Sequence, residues 1–248
     1  MNIFITGGTT GIGAELAKQY AKLGHRIGVC GRDLSKCEKE LTDNPNIHLY
    51  KASVTNIQEL HQAIASFVGV GTLDMMIANA GRSHGSKSKT PNFQTSRDIM
   101  DTNVMGVLNA FEKAVEYMLK QKSGHLVAIA SVAGLVGLPG ASAYSASKAA
   151  VLKLCESYAL DFPKLGINVS AIAPGFIDTP LTRKNDHPMP FLMPVEKAGQ
   201  LIMRAIEKKK VYYIFPWQMK CVILIIEKMP RFLYRKIMNI KLINYSRG

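Results

Sequence analysis

Apolar positions along this chain follow two alternating patterns. Short unbroken apolar runs predict strands buried on both faces, and longer stretches with apolar residues every three or four positions predict amphipathic helices. Residues 2–6 form the first run, and a glycine turn passes it to a helical stretch at 12–23. Residues 25–30 read as a strand, 34–41 as a helix, 47–52 as a strand and 57–67 as a helix. A buried strand at 73–78 ends in Asn79-Ala80-Gly81, and helical spacing returns at 96–120. Residues 125–130 form a strand ending at Ser131, 144–162 a helix, and 167–173 a strand stopped by Pro174-Gly175. Strand and helix in turn predict an α/β fold: a parallel sheet covered on both faces, which right-handed crossovers make doubly wound and Rossmann-like. Ligands of such sheets sit beyond the C-terminal strand ends, where each residue singled out below falls.

The 248 residues suffice for one sizeable core and are few for two domains. The expected organisation is a single domain: a Rossmann-like body over residues 1–215, extended by a basic, apolar helical segment over 216–248. Composition is ordinary, 47% hydrophobic and 20% charged, with no low-complexity tract. The net charge of +13 is unevenly placed: from Arg204 onward eleven Lys/Arg face two acids, Glu207 and Glu227, so this tail carries +9 of it. Cys30, Cys37, Cys155 and Cys221 are scattered, with no metal-ligand spacing among Cys and His, so no structural metal and reduced thiols in a cytoplasmic protein are expected. The N-terminal residues read as a first strand rather than a signal peptide. The longest uninterrupted apolar run in the tail, 221–226, is far short of the ~20 residues of a spanning helix.

The turn Thr6-Gly7-Gly8-Thr9-Thr10-Gly11-Ile12-Gly13 carries the first chemistry. Glycines between a strand and a helix let backbone N–H groups approach a pyrophosphate, and the helix N-terminus adds favourable partial charge. The spacing is Gly7-xxx-Gly11-x-Gly13, not the common GxGxxG. An acid at the end of the second strand would accept bonds from a ribose 2′-OH; this chain has Gly31-Arg32 there. Arg32 can stack on adenine and pair with a 2′-phosphate, with the hydroxyls of Thr9 and Thr10 in support, so NADP(H) is expected over NAD(H).

Tyr144 and Lys148, at i and i+4, share a helix face. A free phenol is a poor proton donor near neutrality, and a nearby ammonium is expected to lower its pKa. Tyr144 can then protonate a carbonyl oxygen while Ser131, at a strand end, hydrogen-bonds the same oxygen.

Taken together these motifs resemble the short-chain dehydrogenase/reductase family, in its standard-length branch, over about residues 2–215. The family's TGxxxGxG is similar to Thr6–Gly13, its NAG to Asn79-Ala80-Gly81, its catalytic Asn to Asn103, its Ser to Ser131, its YxxxK to Tyr144 and Lys148, and its PG with a following Thr to Pro174-Gly175 and Thr179. The resemblance implies that Tyr144 is the general acid/base, that Lys148 binds nicotinamide ribose and tunes Tyr144, and that Ser131 polarises the substrate carbonyl. It implies that Asn103 holds a water in a proton relay to Lys148, that Asn79 mainly stabilises the central sheet, and that Ile177 and Thr179 contact the nicotinamide amide. It also implies a homodimer or higher homo-oligomer. Two departures stand out. Ser53-Val54 replaces the acid that often contacts adenine, leaving the Val54 backbone to supply bonds there, and the C-terminus runs on as Phe215-Pro216-Trp217 where many tetrameric members end in a short tail.

Residues 180–195 are expected to form a lid over the substrate, with Met189, Phe191, Leu192 and Met193 as an apolar wall or as caps on the core. Arg82, Lys87 and Lys89 either attract an acidic substrate or form a solvated basic loop. The tail reads as two helices split at Pro230, with Phe232, Leu233, Ile237 and Ile240 on one apolar face and Arg231, Arg235 and Lys236 beside them. Such a tail either lies on an anionic membrane, with Trp217 and Tyr234 at headgroup level, or packs as a hairpin on the body or a second subunit. The expected function is an NADP(H)-dependent oxidoreductase interconverting a carbonyl and an alcohol by hydride transfer, a reductase of an apolar ketone or aldehyde. A non-catalytic NADP(H) sensor or scaffold on the same fold is the alternative, and nucleic acid is not an expected partner, because the tail holds no reading motif.

Overall fold

The computed structural model of the chain describes residues 1–83, 90–184 and 188–238. Among them, strands β1 (Asn2–Thr6), β2 (Arg26–Gly31), β3 (Ile47–Lys51), β4 (Met75–Ala78), β5 (Gly124–Ile129), β6 (Ile167–Pro174) and β7 (Tyr212–Phe215) form one sheet in the order β3-β2-β1-β4-β5-β6-β7, every pairing parallel. The first three strands march outward in one direction, and β4 then lands on the free side of β1. The connections therefore diverge between β1 and β4, which opens a crevice at their C-terminal ends.

Successive side chains of a strand point to opposite faces, so a strand inside the sheet must be apolar throughout. In β1, Ile3, Phe4 and Ile5 are all fully buried. Phe4 joins the core under helices α3 (Ile57–Val68), α5 (Gly106–Gln121) and α6 (Ser142–Asp161), where Leu60, Ile64, Phe111, Val151 and Leu152 meet it. Ile3 and Ile5 enter the opposite core under α1 (Gly11–Lys22) and α7 (Val195–Glu207), with Leu16, Ala17, Ile202 and Ile206. Each fully buried Leu, Ile or Phe in these layers contributes about 2 kcal/mol. Gly28 pairs with Phe4, and a Cβ there would fall 2.5 Å from the Phe4 ring, so the aromatic contact between Phe4 and Phe67 needs the bare glycine.

The predicted alternation holds, with corrections. The stretch expected as one helix over 34–41 is a short 3-10 turn (Leu34–Lys36) and a separate one-turn helix, α2 (Lys39–Thr42), because Asp33 caps the turn through Ser35 and Cys37 and Glu38 are extended. The stretch predicted over 96–120 starts earlier, at α4 (Phe93–Met100), where the Asn92 side chain caps Thr95. Between α4 and α5 one wide turn (Asp101–Met105) carries Asn103. Neither α7 nor β7 was picked out from the pattern; β7 is a four-residue edge strand with Tyr212 exposed.

The tail forms α8 (Trp217–Lys228) and α9 (Arg231–Met238), split at Pro230 as expected. It packs on the body: Met219 and Ile223 of α8 bury against Val132 and Val136, and the Tyr234 hydroxyl donates to the Gly137 carbonyl. The face expected on the second helix does not act as a unit. Phe232 and Leu233 are exposed, Ile237 is half-buried, Tyr234 and Met238 turn inward, and Ile240 lies outside the described residues. No helix of the described residues is long and apolar enough to cross a membrane.

His125, the second residue of β5, is a buried side chain with its Nε2 2.8 Å from Ser170 Oγ. Burial lowers its pKa from 6.5 to about 4, with the Lys209 charge adding to the effect. Between those values the unfolded chain binds the extra proton, so stability is lost as the pH falls from 6.5 towards 4. The expected contribution is about 1.4 kcal/mol per pH unit inside that window. Urea denaturation at neutral and acid pH should show His125→Gln, which keeps a polar partner for Ser170, with a flatter acid slope than the wild type; equal slopes would exclude His125 as the source.

Candidate active site

At the C-terminal end of β1 the chain turns sharply. Gly7 and Gly11 have φ near +61 and +62, a left-handed backbone that side chains strain. A Cβ on Gly7 would sit 2.6 Å from the Ala80 Cα, and one on Gly13 would sit 2.4 Å from Asn79 Nδ2. Those contacts exist because Asn79, just after β4, reaches across the crevice: its Nδ2 donates to the carbonyls of Thr6 (3.1 Å) and Gly7 (2.8 Å). The Thr6 hydroxyl in turn accepts from the backbone N–H groups of Asn79 and Ala80. The glycine turn is thereby clamped to β4, leaving the start of α1 facing the crevice with its orphan N–H groups.

A cleft of about 450 Å³ runs along these strand ends. Gly7, Thr9, Thr10, Gly11 and Ile12 line it, together with Arg32, Val54, Asn79, Ala80, Gly81, Ser131, Tyr144, Lys148, Pro174, Gly175, Ile177 and Thr179. Two predicted residues stand outside the lining. Gly13 is spent on packing against Asn79 and the Gly7 carbonyl. Asn103 is fully buried: its Oδ1 accepts from Arg82 N at 2.7 Å, and its Nδ2 donates to Arg82 O (3.0 Å) and Ser147 Oγ (2.9 Å). That side chain pins the loop after β4.

Ser131 follows the end of β5 and heads a short turn, Val132–Gly134, accepting from Ala133 N at 3.2 Å. The turn lies directly on α6: a Cβ on Gly134 would fall 2.6 Å from the Lys148 carbonyl carbon. One turn of α6 separates half-buried Tyr144 from buried Lys148, whose Nζ passes under the strand end and donates to Ile129 O at 2.8 Å. Lys148 Nζ lies 5.8 Å from the Tyr144 ring centre. Burial lowers the Lys148 ammonium from 10.5 to about 8. Burial raises the Tyr144 phenol, and a hydrogen bond with Ser131 pulls it partly back. The lowering of Tyr144 by its lysine neighbour, expected from spacing alone, is therefore corrected: burial governs both groups.

At the far end of the cleft Arg32 is exposed beside Thr9; a Cβ on Gly31 would meet Thr9 Cγ2 at 2.6 Å. The acid that follows it, Asp33, accepts from Ser35 N (3.0 Å) and Oγ (2.6 Å) and does not line the cleft. Val54 presents its backbone there, but its carbonyl already accepts from Asn109 Nδ2 at 2.9 Å. Arg82 pairs with Asp98 at 2.9 Å, which ties its guanidinium to α4; Lys87 and Lys89 lie outside the described residues. Of the expected lid, Pro180, Leu181 and Thr182 line the cleft, next to Ile177 and Thr179. Met193 instead bridges to Ile177 and is buried in the core, while Phe191 and Leu192 are exposed. The pattern missed Thr182, whose Oγ accepts from Thr179 N (3.0 Å), and Ser147, which donates to Tyr144 O (2.8 Å). Small hydroxyl side chains carry no periodic signal.

The family model described as short chain dehydrogenase matches residues 1–189. An uncharacterized oxidoreductase of Myxococcus xanthus is 35% identical over 224 residues, covering 87% of each chain. A 3-oxoacyl-(acyl-carrier-protein) reductase of Staphylococcus aureus is 34% identical over 184 residues, 72% of this chain and 75% of the relative. Among solved structures, ElxO with NADP bound superposes with a TM-score of 0.77 at 27% identity, covering 86% of this chain and 95% of that one. A Burkholderia cenocepacia short chain dehydrogenase in complex with NADP shares the fold, with a TM-score of 0.84 at 20% identity over 96% and 98% of the two chains. A doubly wound sheet with this cleft defines a dinucleotide-binding oxidoreductase fold, and the chain belongs to the short-chain dehydrogenase family.

Because the folded chain releases the Lys148 proton near 8 and the unfolded chain near 10.5, the cost of burying the ammonium is fully present below pH 8 and fades as the pH rises towards 10.5. Lys148→Met should therefore raise the apo-protein's stability at pH 7 by up to about 3 kcal/mol, the gain shrinking through that window. Thermal unfolding across pH checks this; a variant less stable than wild type at pH 7 would show that the Ile129 bond outweighs desolvation.

Proposed function

We propose that this chain is an NADP(H)-dependent oxidoreductase that interconverts a carbonyl and an alcohol, working as a reductase of an apolar ketone or aldehyde. The observation that carries the reading is the convergence of Ser131, Tyr144 and Lys148 on the same cleft as the Gly7–Gly11 turn. The residues present fit the dinucleotide. The glycine turn lines the cleft in a left-handed backbone that Gly7 and Gly11 permit, and the start of α1 offers N–H groups to a pyrophosphate. At the adenosine end Arg32 and Thr9 face the cleft while Asp33 is turned to Ser35, a donor set suited to a 2′-phosphate. NADP bound to ElxO, a relative of similar fold, supports the same choice, and the 3-oxoacyl reductase relative is named for a carbonyl substrate. When bound, the nicotinamide supplies or accepts the hydride.

The chain's own residues do the proton chemistry. The Ser131 hydroxyl donates to the substrate oxygen and holds it near Tyr144. As negative charge develops on that oxygen, Tyr144 transfers its phenolic proton to it. The phenolate left behind gains from the Lys148 charge one helical turn away, and that same negative charge raises the affinity of Lys148 for its proton. Asn103 acts as a positioning residue, fixing the Arg82 backbone and, through Ser147, the carbonyl of Tyr144. Ile177, Pro180 and Leu181 supply the apolar wall. The reading includes an assembly of two or more copies.

Tyr144→Phe should reduce kcat by about a thousandfold or more while NADPH binding, followed by fluorescence, stays within about twofold. Turnover close to wild type in that variant would sink the assignment. Arg32→Glu should weaken NADPH by about 1–3 kcal/mol and leave NADH little changed, so the ratio of kcat/KM between the two cofactors reverses or collapses; an unaltered ratio would assign the preference elsewhere.

A further inference from the structure

Helix α8 is apolar on all sides, and such a helix is ordinarily buried all round. Here only one side is covered. Met219 and Ile223 point inward, whereas Trp217 (70% exposed), Leu224 and Ile225 (65%) face outward. Leu224, Ile225, Lys228 and Met229 line a shallow open depression on that outer side. The start of α9 continues the exposure with Phe232 (69%) and Leu233. Lys220, Lys228, Arg231 and Lys236 are exposed on the same two helices, Lys228 within the depression itself, and Glu227 is the lone acid of the two helices.

We propose that this outer face of α8, with the start of α9, docks on an anionic lipid bilayer. The charge selects this occupant. A second copy packed face to face would bring cation against cation, whereas anionic headgroups pair with the lysines while Trp217, Ile225 and Phe232 enter the boundary between headgroups and acyl chains. Nucleic acid would use the cations and leave the aliphatic side chains in water. The face inserted is mainly that of α8, joined by Phe232 and Leu233 from the α9 face expected from periodicity.

The helix that carries the docked face also adjoins the cleft, through its other side. The inner side of α8 rests on Val132, in the turn headed by Ser131, and a Cβ on Gly175 would touch Met219 at 3.3 Å. A bilayer held there presents the cleft to apolar carbonyl compounds dissolved in the membrane. This last step rests on the proposed function; the docking does not, and its test reads no turnover.

The full chain would be floated with phosphatidylglycerol-containing vesicles and with pure phosphatidylcholine vesicles at physiological salt. Trp217, the single tryptophan, reports insertion by a blue shift of its emission. The proposal expects flotation with anionic vesicles, a blue shift on binding, and a loss of about tenfold or more in binding for Leu224→Glu/Ile225→Glu with circular dichroism unchanged. Binding by wild type at low salt only, binding without an emission shift, or a double variant that floats like wild type would overturn it. So would light scattering in which the double variant loses a self-association that the wild type shows without lipid. If the double variant misfolds, Trp217→Ser with Lys228→Glu provides the second arm, held to the same loss of flotation.

Discussion

Lys148 places a positive charge where almost no water reaches, and its hydrogen bond to the Ile129 carbonyl only partly replaces the solvent it left. Burial accordingly pulls its pKa down to about 8. The neighbouring geometry is arranged around that ammonium. Gly134 must stay bare so that the Ser131 turn can rest on the Lys148 backbone. Tyr144 sits one turn away, its own phenol raised by the same burial. The apo site thus holds two groups whose charged forms are both disfavoured. They become compatible when charge develops between them, because a phenolate and an ammonium each relieve the penalty of the other. Under the proposed function, that mutual relief is what favours proton transfer from Tyr144.

The second constraint is the crevice between β1 and β4. The pairing of β1 with β4 ends at Thr6 and Ala78, the point where the connections diverge. Asn79 closes the gap with two bonds to carbonyls of the glycine turn, and this close approach demands glycine at positions 7 and 13. The bridge ties the cradle to the end of β4.

Most of the sheet could be read from the sequence because strands buried on both faces write themselves as unbroken apolar runs; Ile3-Phe4-Ile5 feeds two cores at once and admits no polar residue. β7 could not, since a four-residue edge strand has one partner and one exposed end. The region from 34 to 41 has helical spacing but no continuous helix, because a local cap on Asp33 outcompetes the backbone ladder. The cleft residues were legible where a glycine or a strand end marks them. What a side chain does after the chain folds was not: Asn103 faces the Arg82 backbone instead of the cleft, Met193 enters the core instead of the substrate wall, and the Tyr144 pKa follows burial more than its lysine neighbour. These outcomes depend on contacts between residues far apart in the chain, and periodicity holds no record of them.

The tail shows the same limit from the other side. Its charge and its break at Pro230 were plain in the sequence, yet the spacing of α9 suggested a face that the fold divides between inside and outside. For α8 the helix wheel alone identifies no outer face, since apolar residues occur all round; only its packing on Val132 and Val136 decides which side is left over. Covering that side with solvent leaves Trp217, Leu224 and Ile225 hydrated, a cost on the order of 25 cal/mol for each Å² of apolar surface. A helix that kept this surface only to face water would gain nothing from it. The cations on the same helices would also resist a like-charged copy, and the proposed bilayer, apolar within and anionic at its boundary, accommodates both features.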